Sequence, residues 1–235
     1  MSPKCSLREE SCFFEGDFLV LGPSRIGEGS RIGLNSIVGY PRRSKFRGLE
    51  PAPTERYVEL LDGLSGGSMI GKECTLRSGT TVYEGAVLGD RVATGHNALI
   101  REDSSIGQGS LIGSGTQLDG KVSVGEMCSI QSLVYLPGMT KVGSNVFIGP
   151  GVVVTNDRYP PSRKLAGVTI GDGCIIGANY TIIAPLVISE GAVVAAGSVV
   201  TKDVPRGHVV KGVPAAFHCK REQYDEKKRA YEMLP

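Results

Sequence analysis

One histidine near the middle of the chain has the residue type that proton transfer requires. His96 lies in the segment TGHNALIRED, whereas His208 and His218 lie near the end of the sequence. An exposed imidazole can act as a general base and take a proton from an attacking amine or hydroxyl. The alternative is a surface histidine that is hydrogen-bonded across a subunit contact. The sequence predicts His96 as a candidate catalytic residue and leaves that alternative open.

Amide and loop side chains downstream could bind a polar substrate. One of them is Gln131, in the segment SIQSLVYLP, whose amide can both donate and accept hydrogen bonds. In the segment TNDRYPPSR, Asn156 and Asp157 could hydrogen-bond hydroxyl groups, and Arg158 and Tyr159 offer an anion contact and a stacking surface. The alternative is an Asx turn that merely ends a strand. The prolines beside these polar residues favour a binding loop.

A repeat of six residues must position these side chains. An aliphatic residue occurs at every sixth position from Ile70 to Val154, with Thr94 as the only exception. Glycine often follows directly, and the fourth residue after each aliphatic is usually small or β-branched. Neither an α-helix nor an alternating strand has this period. A hexapeptide β-helix does, because each hexad forms one flat side of a triangular coil, with the following glycine expected to turn the corner.

The same phase divides the whole chain. It extends upstream from Phe14 to Val38 and returns from Ile170 to Val200, which gives 26 hexads in all. We therefore predict a β-helix over residues 1–217, with a loop insertion over 39–69 and an active-site loop over 155–168. A short C-terminal α-helix is predicted over 218–235. The basic residues of the insertion, Arg42, Arg43, Lys45 and Arg47, form either a solvated loop or a clamp for an anionic ligand or a neighbouring subunit.

Eighteen residues make one coil, so positions that differ by 18 or 36 share a face. This places His96 and Gln131 on one side, two coils and about 10 Å apart. The loop that contains Asn156 and Asp157 leaves the adjoining face one coil beyond Gln131. The sequence thus predicts that these side chains converge along one edge. Thr94, the exception in the repeat, falls in the same hexad as His96.

Composition excludes several classes of protein. The formal net charge of +2 gives no nucleic-acid signal. There is no run of 18 apolar residues and no signal-peptide pattern, so we predict a soluble, cytoplasmic protein that does not bind membranes. Three cysteines, Cys74, Cys128 and Cys174, occupy small inward positions, which predicts a packing role. With one histidine near the site and no second ligand beside it, no metal is expected.

The repeats and three further segments resemble a known family. The hexads, the loop TNDRYPPSR, the run GAVVAAGSVVTKDVP and the closing GVPA are similar to left-handed β-helix acyltransferases of the hexapeptide-repeat family. The segments TGHNALIRE, SIQSLVYLP and VFIGPGVVVTNDRYP resemble, more narrowly, N-acetyltransferases of nucleotide-linked amino sugars. The resemblance implies an all-β, left-handed parallel β-helix. It also implies acetyl-CoA as co-substrate, a nucleotide sugar as acceptor, and a homotrimer with active sites at the clefts between subunits.

The resemblance also implies roles for individual residues. Asn156 and Asp157 match a pair that contacts the sugar. The tetrahedral oxyanion would be stabilised by a backbone N–H or by an amide such as that of Gln131. Residues near the C-terminus would contact the coenzyme, with small residues beside the pantetheine and lysines facing the phosphates: Ala195, Ala196, Ser198, Lys202 and Lys211.

The loop departs from the family pattern, because many members carry a histidine on or near it and this one has none. Some nucleotide-sugar relatives work without a protein base: the free amine attacks and the departing CoA sulfur takes the proton. Both versions stay open for His96. The alternatives to a sugar acetyltransferase are an acyltransferase for another hydroxyl or amine, a zinc carbonic anhydrase built on the same prism, and a non-catalytic scaffold.

Overall fold

A computed structural model describes residues 12–47, 49, 53 and 56–234. In this part of the chain a left-handed β-helix is formed by short strands, and two α-helices and one 3-10 helix accompany it. The strands are β1 (Phe13–Phe14), β2 (Leu19–Val20), β3 (Arg25–Ile26), β4 (Arg31–Ile32), β5 (Ile37–Tyr40), β6 (Met69–Ile70), β7 (Thr75–Leu76), β8 (Thr81–Tyr83), β9 (Val87–Leu88), β10 (Ala93–Thr94), β11 (Leu99–Ile100), β12 (Ser105–Ile106), β13 (Leu111–Ile112), β14 (Gln117–Leu118), β15 (Ser123–Val124), β16 (Ser129–Ile130), β17 (Tyr135–Leu136), β18 (Lys141–Val142), β19 (Phe147–Ile148), β20 (Val153–Val154), β21 (Thr169–Ile170), β22 (Ile175–Ile176), β23 (Thr181–Ile182), β24 (Val187–Ile188), β25 (Val193–Val194), β26 (Val199–Val200), β27 (His208–Lys211) and β28 (Ala216–Lys220).

The strands form the three faces of a prism. Sheet A begins with β1 and takes every third strand as far as β25, sheet B runs in the same way from β2 to β26, and sheet C from β3 to β24. Partners in the regular part lie 18 residues apart, as Thr94 opposite Ile112. The 26 predicted inward positions are the second residues of β1 to β26, which confirms the predicted repeat. Almost all of these side chains are buried and form one continuous core.

The turns between faces define three edges. Edge AB follows the sheet A strands, edge BC follows the sheet B strands, and edge CA follows the sheet C strands. At most turns the third residue after the inward side chain has a left-handed backbone, as in Gly115 with φ 66°. The glycine directly after the inward residue does not, apart from Gly39 at the start of the first interruption. A Cβ on Gly113, for example, would overlap the Gln131–Ser132 backbone of the next coil. That glycine therefore allows adjacent coils to approach closely, and the prediction that it turns the corner is wrong.

Thr94 lies inside the prism and has a structural explanation. Its side chain is buried, with 3% exposed, and its Oγ1 lies 2.9 Å from the Oγ1 of Thr80. The same oxygen accepts a hydrogen bond of 3.1 Å from the backbone N–H of Arg77. The exception in the hexads thus satisfies polar groups of the turn before it, and it points away from His96.

Replacing Thr94 by valine is expected to lower the free energy of unfolding by about 1–2 kcal/mol, because the Arg77 N–H loses its acceptor. Urea unfolding followed by circular dichroism measures this change. Thr94→Ser keeps the hydroxyl and is the matched control. A Thr94→Val variant as stable as the serine variant would contradict the assigned hydrogen bond.

Two segments interrupt the prism, as predicted. The first follows β5 and contains a 3-10 helix (Arg43–Phe46) and helix α1 (Tyr57–Leu64), so parts of the predicted loop insertion are helical. The second follows β20 and ends before β21. After β26 the chain forms an antiparallel pair, β27 with β28, and then helix α2 (Arg221–Glu232). The helix is shorter than the predicted segment 218–235, because residues 218–220 belong to β28.

The three inward cysteines have the predicted packing role. Cys74, Cys128 and Cys174 are buried, and each Sγ donates a hydrogen bond to a backbone carbonyl. Burial raises the pKa of all three thiols, and that of Cys174 to about 11. These thiols therefore stay protonated at neutral pH and are not nucleophiles.

Candidate active site

Edge AB carries His96, two residues after the end of β10. The imidazole is exposed, and the His96 backbone is fixed by a hydrogen bond from its N–H to Ser114 Oγ (3.0 Å) and by one from the Gly115 N–H to its carbonyl (2.8 Å). The same edge contains Gln131, directly after β16. The structure thus brings these two residues to one edge, separated by two coils or about 10 Å.

Gln131 interrupts a column of glycines at this edge, in which Gly95, Gly113, Gly149 and Gly177 hold the same position of their turns. Its Nε2 donates a hydrogen bond of 2.8 Å to Ser129 Oγ on sheet A. Its backbone N–H donates to the Ile148 carbonyl at 2.8 Å, so the residue is fixed at both main chain and side chain. One amide hydrogen is left for a ligand, which an oxyanion contact would require.

The loop after β20 organises itself through Asp157. Its Oδ1 accepts the Tyr159 N–H (3.0 Å) and its Oδ2 accepts the Ser162 N–H (2.6 Å). Desolvation would raise the pKa of Asp157, but the hydrogen bonds from Ser162 and Tyr159 lower it. The Asn156 carbonyl accepts the Ala166 N–H at 2.9 Å and closes the base of the loop. Asp157 is therefore an Asx-type cap, as the alternative interpretation held.

The outer part of this loop points into solvent. Arg158 is exposed and Tyr159 is 78% exposed. Both side chains are therefore free to meet a ligand or a second copy of the chain. The amide of Asn156 lies at the base of the loop and is only partly exposed.

The predicted convergence on one edge is wrong. Asn156 follows a strand of sheet B and lies on edge BC, whereas His96 and Gln131 follow strands of sheet A. Sheet B separates the two edges, by up to about 20 Å for a six-residue side. Along the prism axis Asn156 is one coil from Gln131 but three coils, or about 14 Å, from His96. Positions that differ by eighteen residues do share a face of the prism. The loop with Asn156, however, begins at edge BC, one corner further along the coil than the edge AB that carries His96 and Gln131.

The residues expected near the coenzyme are divided in the same way. Ala195 and Ala196 lie on edge AB, in line with Gln131, and Ala196 is exposed. Ser198 is 1% exposed, since its Oγ donates to the Ala195 carbonyl (2.8 Å) and accepts the Gly212 N–H (3.0 Å). Its hydroxyl therefore faces inward and connects the turn after β25 to the segment after β27. Lys202 lies on edge BC, and Lys211 is exposed at the end of β27.

The basic residues of the insertion bind carboxylates of the same chain. Arg42 Nε donates to Glu84 at 2.6 Å, and its two Nη atoms form a forked pair with Asp103 at 3.1 and 2.9 Å. Lys45 Nζ donates to Glu84 at 2.7 Å and to the Leu64 carbonyl. The sequence predicted either a solvated loop or a clamp for a ligand or a neighbouring subunit. Ion pairs with carboxylates of the same chain are a third possibility, which that prediction did not include. Arg42 and Lys45 form an internal clamp, which ties the insertion to edge BC.

Glu84 is the centre of this clamp. It is 1% exposed, and it also accepts the Gly66 N–H at 2.5 Å. Burial would raise the pKa of Glu84, but hydrogen bonds from Lys45, Gly66 and Arg42 outweigh it and lower the pKa to about 2. The carboxylate is therefore charged at any ordinary pH, and its charge is fully used by the fold.

Edge BC carries a second ionic cluster, which the sequence analysis did not predict. Arg101 binds Glu102 with two hydrogen bonds (3.1 and 2.9 Å) and also contacts Asp119. Tyr135 donates to the other oxygen of Asp119 at 3.2 Å. The spacing of 18 residues between Arg101 and Asp119 could have predicted this ion pair, because it places the two side chains on consecutive turns of one edge. The cluster lies two to three coils from the loop and shapes the surface beside it.

Neither a metal site nor a membrane-spanning helix is present among the described residues. No group of three or more His, Cys, Asp or Glu side chains there is arranged as a metal site. Neither described helix is long and apolar enough to cross a bilayer.

Comparison with known proteins agrees with the repeat and the fold. A family model described as "Hexapeptide repeat of succinyl-transferase" matches residues 23–41 and 167–202. The bifunctional protein GlmU of Shouchella clausii is 35% identical over 157 residues, which cover 60% of this chain and 34% of that protein. GlmU of a Thermotoga species is 37% identical over 147 residues, covering 63% and 32%. The chain thus spans about a third of the length of these relatives.

A solved structure supports the architecture over most of the chain. The UDP-N-acetylglucosamine acyltransferase of Francisella novicida superposes with a TM-score of 0.65 at 18% identity. The match covers 89% of this chain and 71% of that one. At this identity the likeness establishes a shared fold.

Proposed function

We propose that this protein, a member of the hexapeptide-repeat family, transfers an acetyl group from acetyl-CoA to the amine of a nucleotide-linked amino sugar. The observation that carries the proposal is the composition of edge AB. Its outer turn positions are small from Ser114 to Ala196, apart from Leu133, Pro150 and Asn179, so a long, thin molecule such as a pantetheine arm can lie along it. The polar loop on edge BC leaves the prism within one coil of Gln131.

The two edges would meet only between copies of the chain. If three prisms pack side by side around a common axis, edge AB of one copy can face edge BC of the next. Heights along the axis are kept in such packing, so Gln131 of one copy would lie within about 5 Å, measured along the axis, of the neighbour's Asn156. The sugar would then be bound by the loop and the thioester by edge AB.

The reaction needs few protein groups. The free amine attacks the thioester carbon, a C–N bond forms, the C–S bond breaks, and the proton of the amine passes to the departing CoA sulfur. The amide of Gln131 would stabilise the tetrahedral oxyanion, and Asn156 would orient the hexose through its hydroxyl groups. Lys211 would face the phosphates of the coenzyme. Lys202, on the other edge, would do so only from a neighbouring copy.

His96 is not required as a base in this scheme. It lies about 10 Å from Gln131 and about 14 Å along the axis from Asn156, which is beyond hydrogen-bond reach of an amine held between them. The version without a protein base therefore suits the geometry better. His96 would contact a more distant part of the acceptor or a neighbouring copy.

The direct test is release of free CoA thiol from acetyl-CoA in the presence of a panel of acceptors. We expect release with an amino-sugar nucleotide and none with the corresponding hydroxy sugar. Release with a serine hydroxyl or an amino acid amine alone would assign a different acceptor. Wild-type protein that releases no thiol with any member of the panel would refute the proposal.

His96→Gln is expected to keep kcat within about threefold of wild type and to leave the pH profile of kcat/KM unchanged. Loss of a true general base would lower kcat by about 10²–10⁴-fold. Gln131→Ala, on the same edge, is the matched comparison and is expected to lower kcat by about tenfold or more. A His96→Gln variant impaired more than Gln131→Ala would restore His96 as the base.

A further inference from the structure

One turn of edge AB breaks the pattern of all its neighbours. From Asn35 to Gly197 the third residue after the inward side chain has a left-handed backbone along this edge, and it is glycine or asparagine at every one of these turns but one. The asparagines are Asn35, Asn97 and Asn179, with φ between 53° and 57°. The exception is Leu133, with φ 60°. Asparagine adopts this conformation readily, whereas a bulky apolar residue there is strained.

The side chain of Leu133 is also unfavourably placed for a protein in water. It is 69% exposed, and it is the only large aliphatic side chain at the turns of edge AB between Ser78 and Gly197. Nothing in the fold of one chain requires an apolar group there. Met127 and Met139 combine the same backbone conformation with exposure on the other two edges, so what distinguishes Leu133 is its place on edge AB, two residues after Gln131.

The side chain of Leu133 overhangs the turn one coil earlier. Asn97 leans over Gly79, and Asn179 leans over Gly151, so each turn side chain covers the glycine one coil earlier. Leu133 covers Gly115 in the same way, and the Gly115 N–H donates to the His96 carbonyl. The Leu133 side chain therefore occupies the space over Gly115 and presents an apolar wall on edge AB. Gln131 lies two residues before that wall.

We infer that Leu133 is the apolar wall against which the acyl group of the donor rests, and that it limits the donor to a short acyl chain. The inference rests on the proposed function, because it places the thioester on edge AB at the height of Gln131. An acetyl methyl group in contact with Leu133 is removed from water, which accounts for an apolar residue at this one turn. A longer chain would meet the Leu133 side chain or extend into solvent.

Two variants of Leu133 separate polarity from size. Leu133→Asn introduces the asparagine found at Asn97 and Asn179, with the same number and branching of side-chain heavy atoms, and Leu133→Gly removes the wall. Met127 provides the matched control, because it has φ 54° and is 61% exposed but lies on edge CA. All three substitutions, including Met127→Asn, relieve a strained backbone, so we expect melting temperatures equal to or above that of wild type.

Calorimetric titration with CoA, acetyl-CoA and butyryl-CoA tests the inference without knowledge of the acceptor. Wild type is expected to bind acetyl-CoA about fourfold more tightly than CoA, the gain for burying one methyl group, and to bind butyryl-CoA less tightly than acetyl-CoA. Leu133→Asn should abolish the preference for acetyl-CoA. Leu133→Gly should bind butyryl-CoA at least as tightly as acetyl-CoA. Met127→Asn should retain the wild-type order.

Other outcomes would overturn the inference in distinguishable ways. An unchanged order of affinities in both Leu133 variants would show that the acyl group lies elsewhere while leaving the proposed function intact. A change of oligomeric state in Leu133→Asn, measured by light scattering, would show that Leu133 is covered by a second copy instead. Wild-type protein that binds none of the three coenzymes would refute the proposed function and this inference with it.

Discussion

Replacing Glu84 by glutamine is expected to lower the free energy of unfolding by about 3 kcal/mol, because it leaves two cations without their buried partner. The carboxylate accepts hydrogen bonds from Arg42, Lys45 and the Gly66 N–H. Glutamine has almost the same shape, but its NH₂ group would face a donor wherever it pointed. Arg42 and Lys45 are about one-third exposed and can partly recover hydration, which keeps the loss below the upper limit for a fully buried pair.

The insertion is expected to detach before the prism unfolds. Trypsin should then cleave Glu84→Gln after Arg43 or Arg47 faster than it cleaves wild type, while urea unfolding reports the global loss. Asp103→Asn is the matched control, since it removes an exposed partner of the same Arg42, and its cost should stay below about 1 kcal/mol. Equal cleavage rates in wild type and Glu84→Gln would contradict the role of the clamp.

The same carboxylate sets a pH dependence. The pKa of Glu84 is about 2 in the folded protein, below its ordinary value of 4.5. A lowered pKa means that the stabilisation is complete above pH 4.5 and is lost as the pH falls towards 2. Wild type should therefore lose stability over this range more steeply than Glu84→Gln. Parallel stability curves for the two proteins in urea titrations would show that Glu84 is not the titrating group.

The sequence predicted the prism well because its determinants are local. An inward aliphatic every six residues and a small residue four positions later are both visible without a partner strand, so all 26 inward positions were identified. The turn chemistry was misassigned, because two different glycines recur in each hexad. Only the structure separates the one that needs a left-handed backbone, as Gly115 does, from the one that must lack a Cβ, as Gly113 must.

The site was harder to predict because it depends on which corner each residue occupies. His96 and Gln131 were placed together correctly, since both follow strands of one sheet. Asn156 follows a strand of the next sheet, and a period of eighteen does not show on which side of a face a loop leaves. The clamp at Glu84 joins residues about 40 positions apart, and no short-range pattern connects Arg42 with Glu84.

The separation of the two edges leads to a prediction about subunits. We expect two inactive variants to complement each other, one altered on edge AB and the other in the loop. Ala196→Arg places a large side chain on the exposed edge AB and should block coenzyme binding. Asn156→Ala removes a sugar contact and should lower activity by about 10²-fold, as loss of a hydrogen bond that a site was built to make often does. Neither change touches the core.

If each site combines edge AB of one copy with the loop of the next, chains mixed one to one should recover activity. After unfolding and refolding together, about one quarter of the sites would pair an intact edge AB with an intact loop, so activity should return to about a quarter of wild type. The double variant Ala196→Arg, Asn156→Ala mixed with wild type gives the same proportion of altered edges and of altered loops and is the control for random assembly. Variants refolded separately and then combined should stay inactive if subunits do not exchange.

No recovery on co-refolding, with trimers present, would place both halves of the site within one chain. In that case one acceptor molecule would have to reach across sheet B from Asn156 to Gln131. An amine of a sugar bound at Asn156 could not then attack a thioester at Gln131 directly.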